Sequence, residues 1–279
     1  MIYFPNCKIN IGLFVTGKRE DGFHNIESIF YPIGLNDALE MRFSKEDTTK
    51  LQVSGQNTKG IVFEDDSNIV LKAYNMLRQD FKDKIKPMNI YLDKGIPVFA
   101  GLGGGSSDGC FALKLIDYMC NLHLNENTLY DYASKLGSDC PFFLKNKPQF
   151  VYSKGEKMQN IDISLKDYYI VLIKPNLNIS TKESYNNVHI TKSPYDLKSL
   201  NISEIKSWKD YVKNDFEINI FEKYPILQQT QELLYKEGAI YAQMSGSGST
   251  IYGIFEKELD IDRLNLPKGT FRYIEKIVN

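Results

Sequence analysis

Between Pro97 and Cys110 the chain reads Pro-Val-Phe-Ala-Gly-Leu-Gly-Gly-Gly-Ser-Ser-Asp-Gly-Cys, with Gly101, Gly103, Gly104 and Gly105 crowded together. Residues without a Cβ let a backbone turn tightly and approach a ligand closely. An apolar helical pattern follows at once. The loop should therefore end on the open N–H groups and positive dipole end of a helix, a seat for phosphate. Ser106 and Ser107 are expected to cap that helix, with hydroxyls able to reach a phosphate or a metal-bound water. Asp108 is expected at the rim of the first turn. No Gly-Lys-Ser/Thr follows, which excludes a Walker A loop; the nearest downstream lysine, Lys114, lies inside the helix. The spacing also lacks the last small residue of a dinucleotide fingerprint and an acidic residue about twenty positions on. A tight strand-to-helix connection with no ligand is the other reading of these glycines.

Two charged residues offer chemistry to a held phosphate. Lys8 sits in Lys8-Ile-Asn10-Ile-Gly12-Leu, where polar and apolar residues alternate as in a strand with one buried face. Lys8 and Asn10 then point to the same side. Asp139 follows Gly137-Ser138 and precedes Pro141, which places it on a loop, where an aspartate can orient a hydroxyl and take its proton. On spacing alone, Asp139 capping a turn and Lys8 snorkelling at the surface remain open.

The elements that must position these groups follow from periodicity. The turn-rich Thr16–Gly22 reads as a hairpin, and Phe23–Leu35 as extended chain. Asp37–Phe43, Leu51–Val53 and Met88–Leu92 read as strands, and a helix capped by Ser67 runs on to Leu77. Ser106–Asn121 and Glu126–Leu136 read as helices, the second ended by Gly137. Beyond the polar break Lys145–Pro148, strands are expected at Phe150–Tyr152 and Tyr168–Ile173. A helix start is expected at Thr181, Tyr195–Val212 is helix-prone, and a helix over Ile226–Lys236 stops at Gly238. Tyr241–Met244, Ile251–Phe255 and Phe271–Val278 close the chain as strands or strand ends. These elements predict an α+β fold divided near residue 155, with residues 1–155 and 156–279 as its domains.

Composition narrows the classes. The chain has 279 residues, 42% hydrophobic and 25% charged, with a net charge of −1. That balance excludes wholesale disorder and gives no bulk attraction to nucleic acid or a membrane surface. No apolar run is long enough to span a membrane, and no signal-peptide core is present. Cys7, Cys110, Cys120 and Cys140 form no C-x-x-C pair and fit neither zinc nor a disulfide framework. They are expected as buried thiols in a reducing cytoplasm, with no protein metal site.

The loop Pro97-x-x-x-Gly101-Leu-Gly-Gly-Gly-Ser-Ser107 resembles the ATP loop of the GHMP kinases. Three further blocks lie in the family's order: Pro5–Leu13 running into Val15–Ser28, Leu136–Phe143, and Met244-Ser-Gly-Ser-Gly248. The first is similar to the branch that phosphorylates the 2-hydroxyl of a cytidine diphosphate-linked methylerythritol in the non-mevalonate isoprenoid route. The resemblance implies an amino-terminal domain like the second domain of ribosomal protein S5, then a ferredoxin-like domain.

It implies ATP as co-substrate with Mg²⁺, held by Pro97, Val98, Phe99, Ala100, Gly101, Leu102, Gly103, Gly104, Gly105, Ser106 and Ser107, with Asn68 toward the adenine or ribose. Lys8 and Asp139 correspond to the catalytic pair. Asn10, Phe23, His24, Tyr185 and Thr181 are expected on the acceptor, a cytidine diphosphate-linked polyol; Phe23 and Tyr185 offer stacking faces and His24 an edge partner for cytosine. The family usually carries tyrosine where Phe23 stands. The Ser245–Gly248 turn is expected to steady the phosphate loop. No nucleic acid or membrane partner is expected, and the chain should be a monomer or weak homodimer. A GHMP kinase for homoserine or mevalonate, and a nucleotide-sensing module without catalysis, are the competing functions.

Overall fold

In the computed structural model of the protein, residues 1–55, 67–186, 188, 190 and 195–278 are described. Strands β1 (Ile2–Tyr3), β2 (Asn6–Lys18), β3 (His24–Asn36), β4 (Ala38–Phe43) and β5 (Lys50–Ser54) precede helix α1 (Ile69–Phe81). Strand β6 (Met88–Asp93) leads to α2 (Gly104–Met119), α3 (Glu126–Leu136) and the single turn α4 (Phe142–Lys145). Then come β7 (Gln149–Ser153), β8 (Lys157–Asn160), β9 (Tyr169–Lys174), α5 (Thr181–Tyr185), α6 (Trp208–Tyr211), α7 (Phe216–Lys223), α8 (Pro225–Lys236), β10 (Tyr241–Met244), β11 (Ile251–Phe255) and β12 (Phe271–Lys276).

One compact unit comprises Met1–Cys7, Gly34–Val98 and Gly103–Lys147. Its sheet has the order β1-β4-β6-β5, antiparallel except where β5 joins β6. Leu39, Met41, Met88, Ile90 and Leu92 alternate into the core, the period of a sheet covered on one face. Helix α1 buries Val70, Ala73, Tyr74 and Leu77, and α2 buries Ala112, Leu113, Leu115 and Ile116. A Cβ at Gly109 would come within 2.7 Å of Ile69, so α1 and α2 meet where no side chain fits between. Asn68, not Ser67, caps α1: its side chain accepts from the Val70 N–H.

The other unit comprises Lys8–Ile33, Phe99–Leu102 and Pro148–Asn279. It holds a sheet of order β2-β3-β7-β8 and an antiparallel sheet of order β10-β11-β9-β12. Leu13, Val15 and Ile26 share one core with Val171, Ile173, Phe216, Leu227, Leu234 and Ile251. The compact units thus differ from the single division expected near 155. The strands at the start of the chain pair with β7 and pack with residues two hundred positions on, and long-range pairing leaves no local mark in composition.

The helix-prone Tyr195–Val212 forms 3₁₀ turns at Leu197–Ser199 and Ile202–Ser207 and only one α turn, α6. Asp196 and Asn201 side chains take the N–H groups of Lys198 and Ser203, which breaks the segment into capped turns. Buried Trp208 pins it down. Among the described residues no helix is long and apolar enough to cross a membrane.

Glu217 on α7 turns its carboxyl under β10, accepting from Met244 N at 2.7 Å and Gln231 Nε2 at 3.2 Å. Burial pushes this carboxyl from 4.5 up to about 7, against the pull of those bonds. The folded chain therefore keeps a proton that the unfolded chain has released, and stability falls as pH rises from 4.5 to about 7. Glu217→Gln keeps the acceptor oxygen and should flatten that part of the stability–pH curve in chemical denaturation. An unaltered curve would exclude Glu217 as its source.

Candidate active site

In the unit that contains β2, Lys8 is 3% exposed, so the snorkelling alternative is excluded. Its ammonium donates to Asn10 Oδ1, approaches the Gly101 carbonyl at 3.5 Å and lies 4.3 Å from the centre of the Phe30 ring. Its main-chain N–H donates to the Leu102 carbonyl at 3.0 Å, which ties β2 to the glycine loop. Asn10 is equally buried. Its amide donates to Ser28 Oγ at 2.9 Å, and Ser28 Oγ donates to the Gly12 carbonyl at 2.6 Å. The alternation of β2 brings Lys8 and Asn10 to one side as expected. Asn10 reaches a substrate only beside the ammonium it holds. Ser28 and Phe30 were not singled out in the sequence; their two-residue spacing on β3 was the available signal.

The Ser245–Gly248 turn joins β10 to β11 and carries out the steadying expected of it. Ser245 Oγ donates to the Gly101 carbonyl at 2.9 Å and accepts from Asn10 N at 3.2 Å. Asn214 Nδ2 holds the turn from behind through the carbonyls of Met244 and Gly246, both at 2.8 Å. Phe99, with φ +51°, is exposed, while Ala100 and Leu102 are buried.

At the β2–β3 turn, Arg19 N donates to the Phe23 carbonyl and Asp21 binds the Arg19 guanidinium. Phe23 is 57% exposed at this tip, with the Lys154 ammonium 5.1 Å from its ring centre. The neighbouring His24 stacks on Tyr185, ring centres 4.9 Å apart and planes 20° apart, and Tyr185 in turn meets Phe216 edge-on. Burial, then the Lys18 charge, lowers the imidazole's proton affinity, so His24 presents one donor and one acceptor at neutral pH. Thr181 is exposed at the first position of α5.

In the unit that contains α2, the helix starts two residues earlier than expected. Gly103, with φ +71°, stands at the N-cap position, and Gly104 is already helical. Ser106 and Ser107 therefore lie inside the first turn and do not cap it. A left-handed residue turns the chain straight into the helix, and the Ile96 side chain, 2.9 Å from where a Gly104 Cβ would be, fills the space beneath. Ser107 Oγ is buried without a hydrogen-bond partner. Asp108 is not at the rim; it is buried. Asp139 is half-buried on the turn between α3 and α4. Its neighbour Cys140 is buried. Burial pushes the thiols of Cys110 and Cys140 up to about 12, and all four cysteines are free. Asn68 Oδ1 is engaged by α1.

Comparison with known sequences places the GHMP kinases N terminal domain on residues 68–147 and the GHMP kinases C terminal domain on residues 197–265. A Bacteroides fragilis (strain YCH46) protein named 4-diphosphocytidyl-2-C-methyl-D-erythritol kinase is 44% identical over 95% of this chain and 96% of its own. The chain belongs to the 4-diphosphocytidyl-2-C-methyl-D-erythritol kinase family of GHMP kinases. A solved 4-(cytidine 5'-diphospho)-2C-methyl-D-erythritol kinase aligns with a TM-score of 0.73 and 26% identity, covering 91% of this chain and 90% of the other. Mevalonate kinase from Methanococcus jannaschii aligns with a TM-score of 0.68 at 15% identity, over 100% of this chain and 98% of its own, which speaks for the fold alone. The fold is the α+β, two-domain GHMP kinase architecture.

The GHMP loop depends on Gly101 more than on its neighbours. A Cβ at Gly101, where φ is +72°, would lie 1.9 Å from the Ser245 carbonyl oxygen, whereas one at Gly105 meets nothing within 4 Å. Gly101→Ala should cost more than about 2 kcal/mol of stability, and Gly105→Ala less than about 1 kcal/mol, in denaturant titrations. Equal costs would show that the Ser245 turn yields freely.

Proposed function

We propose that this chain transfers the γ-phosphoryl group of ATP to the 2-hydroxyl of 4-diphosphocytidyl-2-C-methyl-D-erythritol, a step of the non-mevalonate isoprenoid route. The observation that carries this reading is the near full-length 44% identity to a relative of that name. The relationships to homoserine and mevalonate kinases lie at 13% and 15% identity and speak for fold only. The buried ammonium of Lys8 supports catalysis over mere nucleotide sensing, since retaining a positive charge at that depth has a desolvation cost that binding alone does not require.

In this reading the triphosphate lies along Gly101–Ser107. The α2 N–H groups meet the charge that spreads over the transferred group. Asp139 orients the acceptor hydroxyl and takes its proton as the new P–O bond forms, and Lys8 supplies positive charge to the reaction. His24 hydrogen-bonds the polar edge of cytosine, while Phe23 and Tyr185 give it apolar faces. Without a tyrosine hydroxyl at position 23, the polar readout there falls to His24 alone.

Mg²⁺ fits as a partner of the nucleotide. Among the described residues no group of three His, Cys, Asp or Glu could hold a metal, whereas the unpartnered Ser107 hydroxyl at the helix start suits one ligand position. When bound, it neutralises charge between the β- and γ-phosphates. The reading also keeps Asn68 near the adenine or ribose, Thr181 near the acceptor, a cytoplasmic location, and a monomer or weak homodimer.

An ADP-release assay with the cytidyl acceptor, homoserine and mevalonate tests the assignment; turnover of either of the last two alone would overturn it. Asp139→Asn should lower turnover on the order of a thousand-fold while ATP affinity stays within a few-fold. Near-normal turnover would remove Asp139 from proton transfer. His24→Ala should raise KM for the acceptor far more than KM for ATP; equal increases would take His24 out of the acceptor site.

A further inference from the structure

Asp108 carries the strongest unused chemistry in the molecule. It follows the two serines of the phosphate loop, yet its carboxyl faces the sheet. Asp108 Oδ2 pairs with Lys94 Nζ at 2.5 Å, and the same ammonium pairs with Asp37. All three residues are 5% exposed or less. Asp37 Oδ1 also accepts from the Ile96 N–H at 2.8 Å, and it is the Ile96 side chain that fills the space under Gly104. Lys94 itself is fixed to β5 through its N–H to the Ser54 carbonyl at 2.9 Å.

Two ties therefore run from the sheet to the start of α2. One passes from Asp37 through Ile96 to Gly104, the other from Lys94 to Asp108 one turn into the helix. An ion cluster at this depth has a desolvation cost that a set of apolar side chains would avoid, so it adds little to stability for its size; what it adds is direction. Its three members come from the β3–β4 link, the end of β6 and the start of α2, and meet where the backbone must present N–H groups at a fixed angle. Two carboxyls around one ammonium would leave a negative charge under a phosphate seat. Burial pushes the Asp108 carboxyl well above the usual carboxylate range, Lys94 pulls it down and Asp37 adds to the rise, so the shift runs toward a smaller negative charge there.

We propose that Lys94, Asp37 and Asp108 are positioning residues, a buried strut that holds the first turn of α2 at the angle needed to receive nucleotide phosphate. The proposal rests on the kinase reading for its ligand, but its geometry can be tested apart from catalysis.

The test uses the full chain with Asp108→Asn and Lys94→Met. Hydrogen–deuterium exchange is read at the hydrogen-bonded 107–110 amides and, as an internal reference, at β9 and β11. KM is read separately for ATP and for the cytidyl acceptor. The strut predicts exchange at the first turn of α2 about ten-fold faster with the reference strands unchanged. It predicts KM for ATP raised about ten-fold, and that for the acceptor within about two-fold. Unchanged exchange at 107–110, or KM values that rise together, would overturn it, as would exchange accelerated evenly across the chain. If Lys94→Met does not fold, the nearly isosteric Asp108→Asn decides the question. A wild-type chain that moves no phosphate to the acceptor refutes the kinase reading instead, while the exchange arm still judges the strut.

Discussion

The Gly101 carbonyl faces two polar side chains, and the Gly101 Cα lies so close to the Ser245 main chain that a Cβ would come within 1.9 Å of the Ser245 carbonyl oxygen. Ser245 Oγ donates to the Gly101 carbonyl at 2.9 Å and the Lys8 ammonium stands 3.5 Å away. The glycine at 101, the depth of Lys8 and the shape of the 245–248 turn are consequences of one another. A larger residue at 101 would push Ser245 off, and Ser245 also takes the N–H of Asn10, the residue that holds Lys8. The core of Leu13, Val15, Phe216 and Ile251 supplies the rigidity, because β2 and the β10–β11 hairpin cannot shift without opening it.

This arrangement is costly in isolation and secure as a set. Asn10, Ser28, Ser245 and Asn214 are all 2% exposed or less. A buried polar group that loses its partner forfeits on the order of 1–3 kcal/mol, so each depends on the next being in place. Such a chain has few alternative arrangements. It fixes the ammonium before any ligand arrives, which spares the reorganisation that water would otherwise impose when charge develops.

The sequence disclosed the chemistry better than the architecture. Four clustered glycines, an alternating strand with an inward lysine, and an aspartate before Pro141 are local signals; Lys8 lies on a strand and Asp139 on a turn as expected, while Gly104 and Gly105 already belong to the helix. Helix α3 with its Gly137 stop and the β10–β11 hairpin were equally local. What stayed hidden was relational. Nothing near Asp108 in sequence shows that it turns inward, because its partners are fourteen and seventy-one positions away. The serines at 106 and 107 look like caps until Gly103 is seen to be left-handed. The capping asparagines and aspartates between Tyr195 and Val212 read as helix-compatible polarity until Trp208 anchors the chain.

The two ends of the second unit's functional surface are built in opposite ways. Around Lys8 the ammonium and the Asn10 and Ser28 side chains bond to other groups of the protein and are sealed from solvent. At the tip of the β2–β3 turn, Phe23 is exposed, with the Lys154 ammonium on one side of its ring. His24 lies between these extremes, one face covered by Tyr185. Exposed aromatic area is unfavourable in water and is retained where something covers it. A stacked imidazole beside an open phenyl face, with no tyrosine hydroxyl, can supply area and one hydrogen-bonding edge. That pairing suits a flat group recognised by its rim, and it sets an open, half-exposed end of the unit apart from the sealed end around Lys8.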